Sequence, residues 1–172
     1  WDMYSTSKFR EGQQKCGNYS HVGDCVNREH SFPKSWFKEG QPMVSDAFHI
    51  YPTDGKVNGQ RSNFPYGECA NGTTLPSCNG VDALGKLGKS TFPGYSGTVF
   101  EPVDEYKGDF ARSYFYMAAC YNDKIASWSS PMLAGNSYPC YTTWAVNLLL
   151  KWNEQDPVSQ KEIDRNNAVY KH

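Results

Sequence analysis

The chain has 172 residues, 38% of them hydrophobic and 20% charged, which is enough for one domain with a proper core and too short for two. Seventeen Lys and Arg against eighteen Asp and Glu give a net charge of -1, so the totals show no long-range attraction to phosphate polymers. The longest apolar stretch, residues 144–150, is too short to span a bilayer. We therefore expect a single domain over residues 1–172, in a mature, soluble chain without a membrane segment.

Two short strands are predicted in the first half, near Asp24–His30 and Met43–Tyr51, separated by the Pro- and Gly-rich stretch 33–42. The segment Gly55–Phe64 offers Asn58 and Ser62 as capping residues beside a glycine, so a short helix is predicted there. The expected local order is strand, strand, helix, in a loop-rich part of the chain.

A longer helix is predicted from Gly108 to Lys124, because apolar residues recur there at spacings of three and four. These residues are Phe110, Tyr114, Phe115, Ala118 and Ala119. Arg112 is expected either on the polar side of this helix or buried.

Two further helices are predicted near the end of the chain. The first begins with Thr142 or Thr143 as N-cap and ends before Asp156 and Pro157. The second begins near Pro157, where Ser159 and Glu162 have capping-box spacing. Its apolar residues Ile163 and Tyr170 are predicted to face the core.

Six cysteines form an even set without zinc-finger spacing. Proximity in the chain favours three disulfides, Cys16 with Cys25, Cys69 with Cys78 and Cys120 with Cys140, although a sequence cannot fix the connectivity. The alternative is a set of reduced, buried thiols. Because disulfides form in oxidising compartments, we expect a secreted protein, extracellular or periplasmic.

The adjacent pair Glu29-His30 is a candidate for chemistry. Glu29 offers a hard oxygen suited to Mg²⁺ or Ca²⁺, and a neutral imidazole such as His30 can take a proton from water near neutral pH. Side chains of adjacent strand residues point to opposite faces, so both serve one site only where the strand ends or bends. The alternative is an exposed glutamate beside an ordinary histidine.

A second polar segment, residues 52–64, places amide, guanidinium and hydroxyl groups beside glycine. Asn58 can give Mg²⁺ a neutral carbonyl oxygen, and Arg61 can bond two phosphate oxygens at once. The alternative is a polar turn that caps a helix.

Three segments together carry a family resemblance: Asn27–Phe37, Asp46–Phe64 and Phe110–Met117. In this order they resemble the endonuclease I family of His-Me finger (ββα-metal) nucleases. The resemblance implies an α+β fold with a ββα-metal core at approximately residues 24–64, additional packed helices, many loops and disulfide stabilisation.

The same resemblance implies roles for individual residues. His30 is the general base, and Glu29 and Asn58 are ligands of one divalent metal ion, Mg²⁺ first, with Ca²⁺ or Mn²⁺ as alternatives. A backbone carbonyl near Met43–Asp46 is expected to hold the His30 imidazole. Where many relatives have His or Leu, this chain has Ala47 and Phe48, so His49 is expected to be structural.

Lys56, Arg61 and Arg112 are candidate phosphate contacts, each with a structural role as an equal alternative. The implied reaction is cleavage of DNA, and of RNA as a further substrate, with little sequence specificity, which leaves 5′-phosphate ends. We expect a monomer without a protein partner. Two rivals are a secreted module that binds nucleic acid or carbohydrate through its aromatic residues, and a zinc hydrolase that uses His30 and Glu29.

Overall fold

The computed structural model describes residues 2–5, 9, 16–70, 73–74 and 85–171. The chain forms two compact units. The first unit comprises Trp1–Glu29 and Tyr51–Val103, and the second comprises His30–Ile50 and Asp104–His172. Each unit is built from segments that are distant in sequence.

Two short strands and a helix follow one another in the first half of the chain. Strands β1 (Val26–His30) and β2 (Ile50–Asp54) form a two-stranded sheet, and helix α1 (Gly55–Arg61) follows β2 directly. The predicted order of strand, strand and helix is therefore confirmed. The cap of α1 differs from our prediction, because its N-cap is Asp54, which accepts hydrogen bonds from two backbone N–H groups of the first turn.

The first unit also contains a three-stranded antiparallel sheet, in the order β3-β4-β5. Its strands are β3 (Thr73–Thr74), β4 (Lys86–Lys89) and β5 (Thr98–Glu101). Val99 and Phe100 of β5 are fully buried, and because adjacent strand residues point to opposite faces, this strand is covered on both sides.

The predicted helices in the second half are confirmed as α2 (Lys107–Cys120), α3 (Thr143–Gln155) and α4 (Gln160–Tyr170). The predicted apolar face of α2 is confirmed in part: Phe110 and Tyr114 are buried, whereas Phe115 and Ala118 are partly exposed and Ala119 is exposed. Met117, which the prediction did not include, is also buried. No helix within the described ranges has the length and apolar character needed to cross a membrane.

An aromatic cluster centred on Phe32 forms much of the core of the second unit. The Phe32 ring lies 5.1 Å from the rings of Trp36 and Tyr114 and 5.4 Å from that of Trp128. Offset and edge-to-face contacts of this kind stabilise aromatic cores. The segment that follows β1 is thereby fixed against α2.

Helix α4 begins as predicted, with the Ser159 hydroxyl accepting a hydrogen bond from the Glu162 N–H. Its predicted core contacts are wrong: Ile163 is 43% exposed and Tyr170 is 85% exposed. Polar contacts hold the helix instead, since the Arg165 guanidinium donates to the carbonyls of Ala47 and Ile50.

The predicted second strand, Met43–Tyr51, is wrong over most of its length. Residues Met43–Ser45 and Ala47–His49 form two successive 3-10 turns, and strand β2 begins only at Ile50. The Asp46 carboxylate caps the second turn by accepting from the Phe48 N–H at 2.9 Å. This local capping competes successfully with strand pairing.

The predicted disulfides have different outcomes. Cys16 and Cys25 are bonded, as expected. Cys78 lies outside the described residues, so the pair with Cys69 stays a prediction. The pair Cys120–Cys140 is absent: Cys120 is exposed at the end of α2, whereas the buried Cys140 thiol contacts the Asn122 amide at 3.5 Å.

Candidate functional site

Glu29 lies in β1 as a buried carboxylate with specific partners. Glu29 is only 3% exposed, and its Oε1 accepts hydrogen bonds from the Tyr4 hydroxyl at 2.8 Å and from the Arg61 guanidinium. The guanidinium also lies 4.6 Å from the centre of the Tyr66 ring. Because both bonds go to Oε1, no described residue hydrogen-bonds to Oε2.

Burial raises the pKa of Glu29 to about 7, and the Arg61 charge together with the two hydrogen bonds opposes this rise. A carboxylate in such surroundings gains from any additional positive charge, because desolvation is the dominant cost of its ionised form. Among the described residues, Arg61 supplies this charge to Glu29.

Helix α1 is fixed at its first turn by three contacts. Asp54 caps the helix and also accepts from the Gly23 N–H at 2.6 Å. The Cys16–Cys25 disulfide packs on Gly55, where a Cβ atom would lie 2.6 Å from the Cys16 sulfur. Only glycine fits at this position without displacement of the disulfide.

Asn58 and Arg61 lie on one side of α1, since they are three residues apart, and both contact β1. The Asn58 Nδ2 donates to the Asn27 Oδ1 at 2.6 Å and approaches the Arg28 carbonyl at 3.5 Å. Asn27 and Glu29 are two residues apart in the strand and so share a face. The result is a strand-helix pairing of Asn27 with Asn58 and of Glu29 with Arg61.

His30 is the last residue of β1 and belongs to the second unit. Its Nε2 lies 3.0 Å from the Val44 carbonyl oxygen. A carbonyl only accepts hydrogen bonds, so Nε2 carries a proton, and the tautomer with its lone pair on Nδ1 is the one that this contact selects. The predicted carbonyl partner within residues 43–46 is confirmed, although it lies in a 3-10 turn and not in a strand.

His49 is a second imidazole held by the same turn. It is fully buried, its Nε2 lies 2.7 Å from the Met43 carbonyl, and its ring centre is 5.5 Å from that of His30. Burial lowers the pKa of His49 to about 4 against the opposing effect of the Met43 bond. His49 is therefore neutral at physiological pH, and its Nδ1 has no hydrogen-bond partner among the described residues.

The three candidate phosphate contacts lie in different surroundings. Arg61 is 1% exposed and paired with Glu29. Arg112 forms two hydrogen bonds with the Glu162 carboxylate and one with the Asp156 carbonyl. Lys56 lies in the first turn of α1 and is partly exposed.

Tyr4, Tyr66 and Asn27 contribute to the site but were missed by the sequence analysis. Tyr4 and Tyr66 are far from Glu29 in sequence, and no spacing connects them to it. Asn27 could have been found, because strand alternation places it on the same face as Glu29.

Comparison with known proteins gives a consistent set of similarities. The family profile described as endonuclease I matches residues 1–172. The chain is 34% identical over 174 aligned positions to an extracellular ribonuclease of Bacillus amyloliquefaciens, covering 94% of this chain and 52% of the relative. An extracellular ribonuclease of Bacillus subtilis (strain 168) is also 34% identical, over 93% of this chain and 51% of its own length.

A more distant relative is the endonuclease-1 of Buchnera aphidicola subsp. Baizongia pistaciae, 26% identical over 76% of this chain and 44% of the relative. The chain thus spans about half the length of the curated relatives it matches.

Proposed function

The chain belongs to the endonuclease I family, and from this we propose that it is a secreted endonuclease that requires a divalent metal ion and hydrolyses phosphodiester bonds of DNA and RNA. The main structural support is the hydrogen bond between the His30 Nε2 and the Val44 carbonyl. This bond gives His30 the tautomer that a general base needs. The names of the relatives support a nucleic acid as substrate.

The donor set fits a small, hard divalent ion. Glu29 offers Oε2, and the Asn58 amide, whose nitrogen faces Asn27, offers Oδ1. Mg²⁺ is commonly held by one or two protein oxygens and keeps several waters. The described residues contain no group of three His, Cys, Asp or Glu that could hold a metal, so they give no support to the zinc hydrolase alternative.

When bound, the ion supplies Lewis-acid stabilisation of the negative charge on the phosphate and on the departing 3′ oxygen. The residues of the chain orient the attacking water and remove its proton. His30 accepts a proton from water at Nδ1, the water oxygen attacks phosphorus, and the bond from phosphorus to the 3′ oxygen breaks. The 3′ oxygen takes a proton from solvent, so the products carry 5′-phosphate and 3′-hydroxyl ends.

Contacts with the phosphate backbone carry no sequence information, so we expect cleavage with little sequence specificity. Among the candidate contacts, Lys56 is the one we propose for phosphate, because Arg61 and Arg112 already pair with carboxylates. Secretion is supported by the Cys16–Cys25 disulfide and by the extracellular relatives. We expect the protein to act as a monomer.

The test is cleavage of supercoiled plasmid and of a structured RNA by the purified protein, with Mg²⁺, with EDTA and as the His30→Ala variant. We expect cleavage only with metal and intact His30. His21→Ala is the matched control, since this exposed imidazole has no proposed role. Cleavage by His30→Ala at the wild-type rate would remove the base assignment, and cleavage in EDTA would remove the metal requirement.

A further inference from the structure

Asn58 can serve as a metal ligand only through its amide oxygen, because the neutral amide nitrogen has no lone pair to offer. The side chain could adopt either of two orientations that differ by a half-turn of the amide group and have nearly the same shape. A contact that distinguishes nitrogen from oxygen is needed to select one of them. Our inference concerns this contact, and it rests on the proposed function.

The surroundings of Asn58 select one orientation. Its Nδ2 lies 2.6 Å from the Asn27 Oδ1 and 3.5 Å from the Arg28 carbonyl oxygen. A backbone carbonyl is an acceptor in every orientation of the neighbouring side chains, so the atom of Asn58 that faces it must be the nitrogen. Asn27 completes the arrangement by presenting its own oxygen to the same nitrogen.

The bond to Asn27 is the shorter of the two contacts, and it comes from the strand position that shares a face with Glu29. Asn27 is partly buried, and the backbone just before β1 is held to α1 by the bond from the Gly55 N–H to the Cys25 carbonyl. A fixed acceptor at this place restrains the rotation of the Asn58 amide. Its oxygen then points away from Asn27 and the Arg28 carbonyl.

We propose that Asn27 is a positioning residue for the metal site: it accepts a hydrogen bond from Asn58 and so holds the Asn58 amide with its oxygen turned toward the ion. Loss of this acceptor leaves only the longer contact with the Arg28 carbonyl to restrain the Asn58 amide, so the ligand is less well preformed for the ion. Residues that orient a metal ligand in this way typically contribute about 10- to 100-fold to metal affinity.

The test measures binding of Mn²⁺ by titration calorimetry to the folded protein without nucleic acid. Asn27→Leu removes the acceptor at similar size, and we expect it to weaken Mn²⁺ binding by at least about tenfold. Asn27→Asp keeps an acceptor oxygen and should bind Mn²⁺ at least as tightly as the wild type. Asn147→Leu, the same change at an exposed residue of α3, is the matched control and should leave the affinity unchanged.

The outcomes separate this inference from the proposed function. Wild-type affinity in Asn27→Leu, together with weakened binding in Asn58→Ala, would overturn the role of Asn27 and leave the metal site intact. Mn²⁺ binding that Asn58→Ala does not change would overturn both. If Asn27→Leu fails to fold, Asn27→Ala replaces it, with circular dichroism to confirm the fold.

A second readout needs no metal. The nitrogen-15 resonance of the Asn58 side-chain amide in the wild type should have the shift of a hydrogen-bonded group. We expect it to move toward the solvent-exposed value in Asn27→Leu and to return in Asn27→Asp. An unchanged resonance in Asn27→Leu would show that Asn27 does not restrain the amide.

Discussion

The buried ion pair of Glu29 and Arg61 affects the proposed roles of both residues. It fixes the carboxylate that we propose as a metal ligand, and it removes from solvent a guanidinium that the sequence suggested as a phosphate contact. Breaking one member of such a pair leaves a buried charge without compensation, which costs about 3 to 5 kcal/mol of stability.

We therefore expect Arg61→Leu to lower the free energy of unfolding by about that amount, as measured by urea denaturation in EDTA. The double variant Glu29→Leu/Arg61→Leu removes both charges and should regain a large part of the loss. If Arg61 acted on phosphate instead, Arg61→Leu would leave the stability unchanged and raise the KM for nucleic acid.

His49 gives a prediction for the pH dependence of stability. Burial lowers the pKa of His49 to about 4, whereas in the unfolded chain the value is near 6.5. Between these values the unfolded chain binds a proton that the folded chain does not. Stability is thus lost as the pH falls from about 7 to about 4, by about 3 kcal/mol from this residue.

The His49→Gln variant isolates this effect, since an amide can still donate to the Met43 carbonyl but does not titrate. Burial raises the pKa of Asp109 to about 7, so this residue makes the folded protein more stable as the pH falls. Because Asp109 is present in both proteins, its effect cancels in the comparison. We expect the variant to lose less stability than the wild type between neutral and acid pH, as measured by urea denaturation at each pH. Equal losses would contradict a neutral, buried His49.

At the scale of secondary-structure elements, the position of α1 depends on the contact between Gly55 and the Cys16–Cys25 disulfide. Alanine at an early helical position usually stabilises a protein, but here its Cβ atom would lie 2.6 Å from the Cys16 sulfur. We expect Gly55→Ala to destabilise the protein by about 1 to 3 kcal/mol through overpacking. Gly17→Ala is the control, because its Cβ atom would have no neighbour within 4 Å. Equal melting temperatures for the two variants in thermal denaturation would exclude the proposed contact.

The helices were predictable because their signals are local. The spacing of Phe110, Tyr114 and Ala118 predicts α2, and the Ser159 cap predicts the start of α4. The segment 43–51 has apolar residues that suit a strand as well, and the second of its two turns depends on the Asp46 cap. Nothing in the local pattern of α4 predicts that Arg165 and Glu162, and not Ile163, hold it in place.

In the candidate site, too, some residues were predictable from local motifs and others were not. His30, Glu29 and Asn58 stand in short motifs whose residue types indicate their chemistry, and the turn that holds His30 lies where the resemblance implies it. Tyr4 bonds Glu29 from 25 residues away, a relation that only tertiary structure reveals. Whether the chain acts on nucleic acid through these residues stays a prediction.

For the molecule as a whole, a net charge of -1 bears on how a nucleic acid would be bound. A protein without an excess of positive charge gains little from long-range attraction, so its binding should depend on a few local phosphate contacts. Each contact releases counterions and contributes about -0.9 to the slope of log binding constant against log salt concentration. We expect a slope of about -2 to -3 for duplex DNA.

The measurement uses the His30→Ala variant as background, so that binding is observed without cleavage, and varies monovalent salt at constant Mg²⁺. Adding Lys56→Ala should reduce the slope by about one unit, because one phosphate contact is lost. Lys151→Ala removes an exposed lysine of α3 and should leave the slope unchanged. Equal slopes for all three proteins would remove Lys56 from the proposed interface. A slope of about -6 or steeper would instead require a broad basic surface, which the balance of charges in this chain does not predict.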